Sequence, residues 1–419
     1  MARLPRSRPR ALPASPSVEP IGTDNPACAR HTRSRKILRG IADMRKSTLV
    51  LATAAVLPFS LAACTEKTTA SDGDIVVTAT DDSCDVSATT GTTGSSTFQV
   101  TNNGSKVTEF YVFAEGDRAM GEVENIGPGL TRQLIVSLPE AATYQLACKP
   151  GMVGTGIRQD FVVTGDSQAA TDGSGQLAEA ADGYRRYIRS QIVALQDTAA
   201  QFVAAVQSGN VDQAKALFPI ARTYYERIEP EAESFGELDP KLDLREADLE
   251  PGQVWTGFHR LEKDLWVTGL QPDTNAVADQ LLEDIQYLAD QLNAEDYTID
   301  PTKIAGDAQG LLDEISTSKI TGEEDIFSHT DLWDFQANVD GSQAAIAALN
   351  PILQERDPEL AQRIADRFAD LDAALAQFRV GDGFVYYDTV TEAQRQELSR
   401  KIDALSAEVS QVQEVVAGQ

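Results

Sequence analysis

The sequence has few side chains that could bind a metal or move a proton, and two of them lie three residues apart. Only 3 of the 419 residues are His, and His259 is followed by Glu262 in the run WTGFHRLEK. On a helix these two side chains would project from one face and could hold one cation. The same spacing is also typical of a surface ion pair or of a buried His satisfied by its neighbour. Position 263 is Lys263, where a zinc peptidase of the His-x-x-Glu-His type needs its second His, so this motif argues against hydrolysis.

An acidic segment earlier in the chain offers carboxylates at helical spacing. Glu226, Glu229 and Glu233 would share one helix face. Such a charge run is usually solvated. However, Pro230 within the pattern predicts a kink, which could turn Glu229 inward.

A third segment contains the last His of the chain. Asp325 and His329 are four residues apart and would share a face if the segment were helical. Acidic residues in the first turn of a helix also complement its dipole, which is the alternative reading. Both His residues of the C-terminal half thus lie among carboxylates, and together they favour a metal site.

Composition excludes several classes of protein. The chain carries 36 basic and 64 acidic side chains, a formal net charge of −28, and 42% hydrophobic residues. That acidity argues against nucleic acid as a partner. With 4 Cys and 3 His, zinc-finger arrays and dense disulfide scaffolds are excluded as well.

The spacing of apolar residues changes along the chain and predicts two folded domains. Residues 74–165 alternate polar and apolar side chains between turn sequences, which predicts a β-sandwich of six or seven strands. A Gly/Ser-rich linker at 166–176 follows. Residues 177–419 show apolar residues at helical spacing and predict an all-α bundle of about eight helices. We expect the helices to be separated at Pro219, Pro240, Pro272, Pro301, Pro351 and Gly381–Gly383.

The N-terminal region reads as a targeting segment. Residues 44–63 contain a basic start, a short apolar stretch and small residues before Cys64. This order is typical of a bacterial lipoprotein signal in which Cys64 becomes lipidated. The Arg/Pro-rich residues 1–43 precede a complete signal with its own Met44, so we interpret them as a misassigned extension. Residues 64–73 would form a tether.

The β-region contains a possible second metal site. Cys84 and Cys148 could form a disulfide, or they could bind copper together with Glu109 and Met152, or with Met120 in place of Met152. The sequence leaves both alternatives open. Residues 65–165 contain no His, which argues against a blue-copper centre.

Three runs of the helical region resemble a known family. They are GFHRLEKDLW, YYERIEPEAESFG and KITGEEDIFSHTDLWDFQANVDG, and they resemble the helical domain of EfeO-type iron-uptake components, also called imelysin-like after a peptidase family. The resemblance extends over residues 74–419, because this family carries a cupredoxin-like domain before the helical one. It implies two four-helix bundles and a metal site around His259 and Glu262, with Glu229 in the matching acidic run.

These observations predict a lipid-anchored extracytoplasmic protein that binds iron, ferric or ferrous, and delivers it to a membrane permease. Copper or zinc are further candidate metals. The resemblance implies an iron permease and a haem peroxidase as partners. The expected metal ligands are His259, Glu262, Glu229, Glu226, Asp325 and His329. An imelysin-like metallopeptidase, a metal oxidase and a purely structural surface lipoprotein are the alternative functions.

Overall fold

The structure, a computed structural model, describes residues 74–152, 154–166, 175–236, 238–249, 252–295 and 297–418, with the backbone alone for Asn125. The predicted extension 1–43, signal 44–63 and tether 64–73, with Cys64, lie outside these residues, as does most of the linker. None of the described helices combines the length and the apolar composition needed to cross a bilayer.

The first folded region is a sandwich of two β-sheets. Its strands are β1 (Ile75–Ala79), β2 (Cys84–Val86), β3 (Thr90–Thr92), β4 (Gly94–Asn102), β5 (Thr108–Phe113), β6 (Ala119–Ile126), β7 (Thr131–Leu138), β8 (Thr143–Pro150) and β9 (Ile157–Thr164). One sheet has the order β2-β1-β4-β7 and the other β3-β9-β8-β5-β6. The described region therefore has more strands than the six or seven predicted, because β2 and β3 are too short to show alternation.

The alternating residues of these strands fill the sandwich. Phe98, Phe110 and Phe161 are fully buried, and the ring centroids of Phe110 and Phe161 lie 5.3 and 5.7 Å from that of Phe98. Because successive strand residues face opposite sides, the neighbours of Phe110 point out of the core. Those neighbours, Glu109 and Tyr111, therefore face the helical region.

The second region is helical, as predicted. Its α-helices are α1 (Gln176–Gln207), α2 (Val211–Glu226), α3 (Glu229–Glu233), α4 (Leu238–Asp243), α5 (Gly257–Lys263), α6 (Thr274–Asn293), α7 (Pro301–Thr317), α8 (Asp331–Arg356), α9 (Pro358–Leu375), α10 (Glu392–Val409) and α11 (Val412–Ala417). A short hairpin, β10 (Arg379–Val380) and β11 (Gly383–Phe384), follows α9. Helix α1 packs on α2 and α6, while α7, α8, α9 and α10 pack together, and α8 also contacts α1 and α2. The two groups of helices thus share one hydrophobic core.

Two of the predicted helix boundaries are wrong. Pro219 lies inside α2 and Pro351 inside α8. A proline inside a helix removes one backbone hydrogen bond, which buried neighbours such as Phe218 and Ile352 can offset through packing. Pro301 does begin a helix, in the first turn of α7, where its missing N–H costs nothing.

The sandwich packs directly against the helices. Arg132 of β7 forms a 2.9 Å ion pair with Asp313 of α7, and the Ile135 N–H donates to Gln413 Oε1 over 3.0 Å. The Ala119 N–H of β6 donates to Ser234 O just after α3. These contacts hold the outer face of β5 and β6 close to α3 and α4.

Candidate metal centre

Helix α5 carries the His259–Glu262 pair into the protein interior. Gly257 begins the helix with φ +83°, and a Cβ there would lie 2.2 Å from Leu242 O. Only glycine fits this backbone contact, which brings α5 against α4. The side chain of His259 is 2% exposed and that of Glu262 is fully buried, with 3.1 Å between His259 Nδ1 and Glu262 Oε2. The pair is therefore not a surface ion pair: it is buried, and Glu262 is the hydrogen-bond partner of the imidazole Nδ1.

Glu262 also fixes the loop that faces α5. Its second oxygen, Oε1, accepts hydrogen bonds from the N–H groups of Phe327 and Ser328, at 3.0 and 2.7 Å. Residues 323–330 form turns and not the helix that the sequence suggested. The loop is held in this shape partly by Thr330, whose hydroxyl donates to Asp325.

Three further carboxylates surround the imidazole. His259 Nε2 lies 3.5 Å from Asp243 Oδ1 and 3.6 Å from Glu324 Oε1, and His259 Nδ1 lies 3.9 Å from Asp325 Oδ1. One ligand atom each from Asp243, His259 and Glu324 lies within 4.8 Å of the others, and the same holds for His259, Glu262 and Asp325. We call these five residues the His259 centre.

A second buried group adjoins the His259 centre through Asp243. Its members Glu226, Glu229 and Asp243 also bring carboxylate oxygens within 4.8 Å of one another. Helix α2 ends at Glu226 and α3 begins at Glu229, with Pro230 in its first turn. The helix is interrupted between Glu226 and Glu229, which is a sharper change of direction than the predicted kink. This interruption turns Glu229 inward.

Two buried cations lie among these acids. The guanidinium of Arg222 pairs with Glu226 and Asp243, and lies 2.8 Å from Glu324. The ammonium of Lys319 lies 2.5 Å from Glu226 Oε2 and 3.0 Å from Glu229 Oε2. Buried charges need partners, and here the carboxylates outnumber the cations.

The excess of acids shifts several protonation equilibria. Burial and the charge of Arg222 lower the pKa of His259, but the neighbouring Asp243, Glu262 and Glu324 outweigh them and raise it to about 10. Burial raises the pKa of Asp325 to about 6. Burial would also raise the pKa of Glu324, but Lys319 and His259 hold it well below its usual range. At neutral pH the centre thus holds a proton that an entering cation would displace.

Several polar atoms here have no hydrogen-bond partner among the described residues. They include His259 Nε2, Asp325 Oδ1 and both carboxylate oxygens of Asp334. Buried polar atoms are normally satisfied, so a group of unsatisfied atoms needs an explanation. Nitrogen and carboxylate oxygen are the donors that iron accepts, and the residues present fit such an ion.

The structure brings together most of the predicted ligands, but not all. His259, Glu262 and Asp325 belong to the centre, and Glu226 and Glu229 adjoin it. Within the described part of the chain, His329 belongs to no group of converging ligand atoms. Its N–H donates to Asp325 O over 2.7 Å, one turn back along the chain, but its backbone takes φ +59° and the segment is not a helix, so the two side chains do not share a helix face.

Four residues of the site were not predicted as participants: Arg222, Asp243, Lys319 and Glu324. Glu324 directly precedes Asp325, so it was close to a predicted ligand. Asp243 lies in an ordinary polar segment, and nothing in its spacing relates it to His259. Buried Arg222 and Lys319 look like surface residues in the sequence, because charged side chains are rarely buried.

The possible copper site in the sandwich takes a different form. Cys84 and Cys148 form a disulfide, with 5.6 Å between their Cα atoms. Of the two alternatives that the sequence left open, the structure therefore contradicts the one in which these sulfurs are thiolate ligands. Cys148 is buried in the sandwich, whereas Glu109, opposite Lys149 in the next strand, faces the helical region with Met152 nearby. Strand alternation separates the sulfurs from Glu109.

The outer face of the sandwich forms an acidic group with helix α3. Glu122 and Glu124 of β6 and Glu233 of α3 bring carboxylate oxygens within 4.8 Å of one another. Tyr111 donates a 2.7 Å hydrogen bond to Glu124 Oε1. Glu233 thus faces the sandwich, one turn along α3 from Glu229.

Comparison with known proteins gives two family matches. Residues 51–162 match the cupredoxin-like domain and residues 180–412 match imelysin, peptidase family M75. The first match begins before the described residues.

Curated relatives match over most of the chain. It is 36% identical over 348 residues to the iron uptake system component EfeO of Escherichia coli K12 and, to the same extent, of Shigella flexneri. Each alignment covers 82% of this chain and 91% of the relative. A solved structure of a Parabacteroides distasonis protein described as an iron-regulated protein A precursor matches with 16% identity and a TM-score of 0.40, over 61% of this chain and 97% of that one. On the strength of the curated relatives and of its two domains, the chain belongs to the EfeO family of iron uptake system components.

Proposed function

We propose that this protein captures an iron ion at the His259 centre and delivers it to a membrane permease. The observation that carries the proposal is the unsatisfied Nε2 of His259, which faces Asp243 and Glu324 in the interior. The ion is the cargo of the protein and not a resident cofactor. Binding would satisfy the imidazole and replace repulsion between carboxylates by attraction to a cation.

The ligand chemistry favours a hard cation. Four of the five residues of the centre offer carboxylate oxygen, which suits ferric iron, and one imidazole is compatible with ferric or ferrous iron. The negative charge of the chain would raise the local concentration of any cation, so it does not choose iron over zinc or copper. Selection therefore depends on the geometry of the donors.

We propose a binding role rather than catalysis. Lys263 occupies the position of the second His of a zinc peptidase, and it pairs with Glu246. In this proposal the protein is extracytoplasmic and is anchored through lipidated Cys64, so that it works beside an iron permease and a haem peroxidase. An anchor of this kind would keep the loaded protein close to the membrane.

Titration calorimetry of the full chain tests the proposal. Ferric citrate, anaerobic ferrous salt, zinc and cupric salts are titrated in turn, and we expect an iron salt to bind most tightly. His259→Ala and Glu262→Ala should each weaken iron binding by about tenfold or more. The matched control is His329→Asn, since Asn tolerates the left-handed backbone at that position.

The outcome can contradict the proposal in two ways. If His259→Ala and Glu262→Ala bind iron as tightly as the parent chain, the centre is wrong. If no metal binds, a structural role remains, and peptide hydrolysis that a chelator abolishes would favour an enzyme.

A further inference from the structure

The residues of the His259 centre are buried, so an ion needs a path to them. A cavity of about 320 Å³ lies between the sandwich and the helices α3 and α4. Three of its lining residues, Glu229, Asp243 and Glu324, belong to the buried groups described above. The cavity therefore reaches the centre from the side that the sandwich covers.

The sandwich supplies the opposite wall. Glu109 of β5 and Glu124 of β6 line the cavity, together with Glu233 of α3. Glu109 is only 5% exposed, and its nearest basic partner in the described chain, Lys149, lies 3.7 Å away. Glu124 and Glu233 bring their oxygens within 4.8 Å of each other. Carboxylates thus line the cavity on both domains.

The oxygen donors of the lining favour a cation. Burial raises the pKa of Glu109 to about 7 and that of Glu124 well above its usual range, so an entering cation would displace protons from them. Among the described residues, nine carboxylates and two basic side chains line the cavity. Both basic side chains are already paired: Lys149 with Glu109, and Arg245 with Asp248 and with Glu324 of the centre. A cation entering the cavity would meet oxygen ligands at each step, and these could replace its water molecules in turn.

A second observation, independent of the acidic residues, indicates a ligand at the inner end of the cavity. Asp243 and Glu324 line the cavity and flank His259 Nε2, which is buried and has no hydrogen-bond partner in the described chain. His259 does not itself line the cavity, but its Nε2 lies 3.5 and 3.6 Å from oxygens of these two lining residues, so an ion bound by them would lie beside the imidazole.

We propose that this interdomain cavity is the path of the cation between solvent and the His259 centre, and that Glu109 and Glu124 of the sandwich speed its passage as transient ligands. The inference rests on the proposed function of the centre. It gives the sandwich a kinetic role: its carboxylates lower the barrier to entry and exit and are not ligands of the bound state.

Stopped-flow kinetics of the full chain tests the path. Anaerobic ferrous ion is the probe, and the signal is the intrinsic fluorescence of the three Trp residues, of which Trp255 lies four residues from His259. In the double variant Glu109→Gln/Glu124→Gln, both the association and the dissociation rate should fall by about tenfold, with the equilibrium affinity within about twofold of the parent. The amide oxygen introduced by Glu124→Gln would still accept the hydrogen bond from Tyr111, so the fold should persist. Glu115→Gln/Glu140→Gln, which replaces two exposed carboxylates of the sandwich, should leave both rates unchanged.

Each other result overturns a distinct claim. Unchanged rates in the double variant exclude the path but leave the centre intact. A faster dissociation with weaker affinity would show that Glu109 and Glu124 stabilise the bound ion, which also contradicts a purely kinetic role. A parent chain that binds neither ferrous ion nor ferric citrate overturns the proposed site, and the path with it.

Discussion

The ammonium of Lys319 lies 2.5 Å from Glu226 Oε2 in the interior, and both side chains are fully buried. Lys319 also contacts Glu229 and Glu314, at 3.0 and 3.2 Å. An internal cation thus lies among the carboxylates that adjoin the His259 centre. Removal of such a charge leaves its partners unpaired.

Replacement of Lys319 should make the stability of the protein depend on bound iron. Lys319→Met should lower the free energy of unfolding of the metal-free protein by about 3–5 kcal/mol, because Glu226 and Glu229 lose their counter-charge. Iron should restore part of this loss, so that ferric citrate raises the Tm of the variant more than that of the parent. Thermal unfolding with and without ferric citrate measures both effects.

Lys303 provides a matched control for this variant. Its side chain is 9% exposed and lies 2.6 Å from Asp307, outside the His259 centre. Lys303→Met should also be destabilising, but iron should not give it a larger gain in Tm than the parent shows. Equal gains in Tm for the two variants would contradict a specific role for Lys319.

The backbone at Gly257 should be intolerant of any side chain. Gly257→Ala forces a Cβ into Leu242 O at a φ of +83°, and should cost at least about 2 kcal/mol of stability and weaken iron binding. Gly310→Ala in α7 is the control, because that glycine has open space around it and ordinary helical φ. It should raise stability by about 0.5–1 kcal/mol. Denaturant unfolding measures both, and a neutral Gly257→Ala would contradict the packing of α5 on α4.

Iron binding should strengthen as pH rises. With the pKa of His259 raised to about 10, the imidazole is protonated near neutral pH and must lose that proton to bind an ion. We expect about one proton to be released per ion near pH 7, and a further proton from Asp325 below its pKa of about 6. Calorimetry in two buffers of different ionisation enthalpy counts the protons. Tighter binding at pH 5 than at pH 8 would contradict this assignment.

The same shift makes the opposite prediction for the metal-free fold. A raised pKa of His259 stabilises the folded state fully below the usual value of 6.5, and this stabilisation is lost as pH rises towards 10. Denaturant unfolding between pH 6 and 10 should show the decline. In His259→Gln the decline should be smaller; an identical decline would assign it to other groups.

The disulfide should stabilise the sandwich without contributing to the metal centre. Its two cysteines are 64 residues apart, and a loop of this length corresponds to about 4 kcal/mol in the chain-entropy treatment. Cys84→Ala/Cys148→Ala should therefore lower the Tm of the sandwich while iron affinity stays within about twofold. Alkylation of unreduced protein should leave both cysteines unmodified; labelled Cys84 or Cys148 would indicate free thiols.

The sequence predicts the regions of the fold better than the members of the centre. Alternation around Phe98 and helical spacing around Ile188 report burial directly, so the β-sandwich and the α-helical region follow from local patterns. The pair His259 and Glu262 was recognisable because both belong to one helix turn. Asp243 and Glu324 reach the imidazole through tertiary packing, which no local spacing encodes.

His329 illustrates the limit of the helical assumption. Its spacing to Asp325 predicts a shared face only on a helix, and the 323–330 segment forms turns instead. Glu262 holds that segment through two backbone N–H groups of Phe327 and Ser328. A contact between distant parts of the chain therefore decides the local conformation.

Arg222 affects the stability of the metal-free protein. Its guanidinium joins acids from α2, α4, the 323–330 loop and α8, and it cannot lose its proton. In the proposed transport role, this permanent positive charge would still hold four separate segments together after the ion leaves. When the metal ion leaves, the carboxylates would keep Arg222 as a counter-charge. The metal-free protein would therefore stay folded through repeated rounds of binding and release.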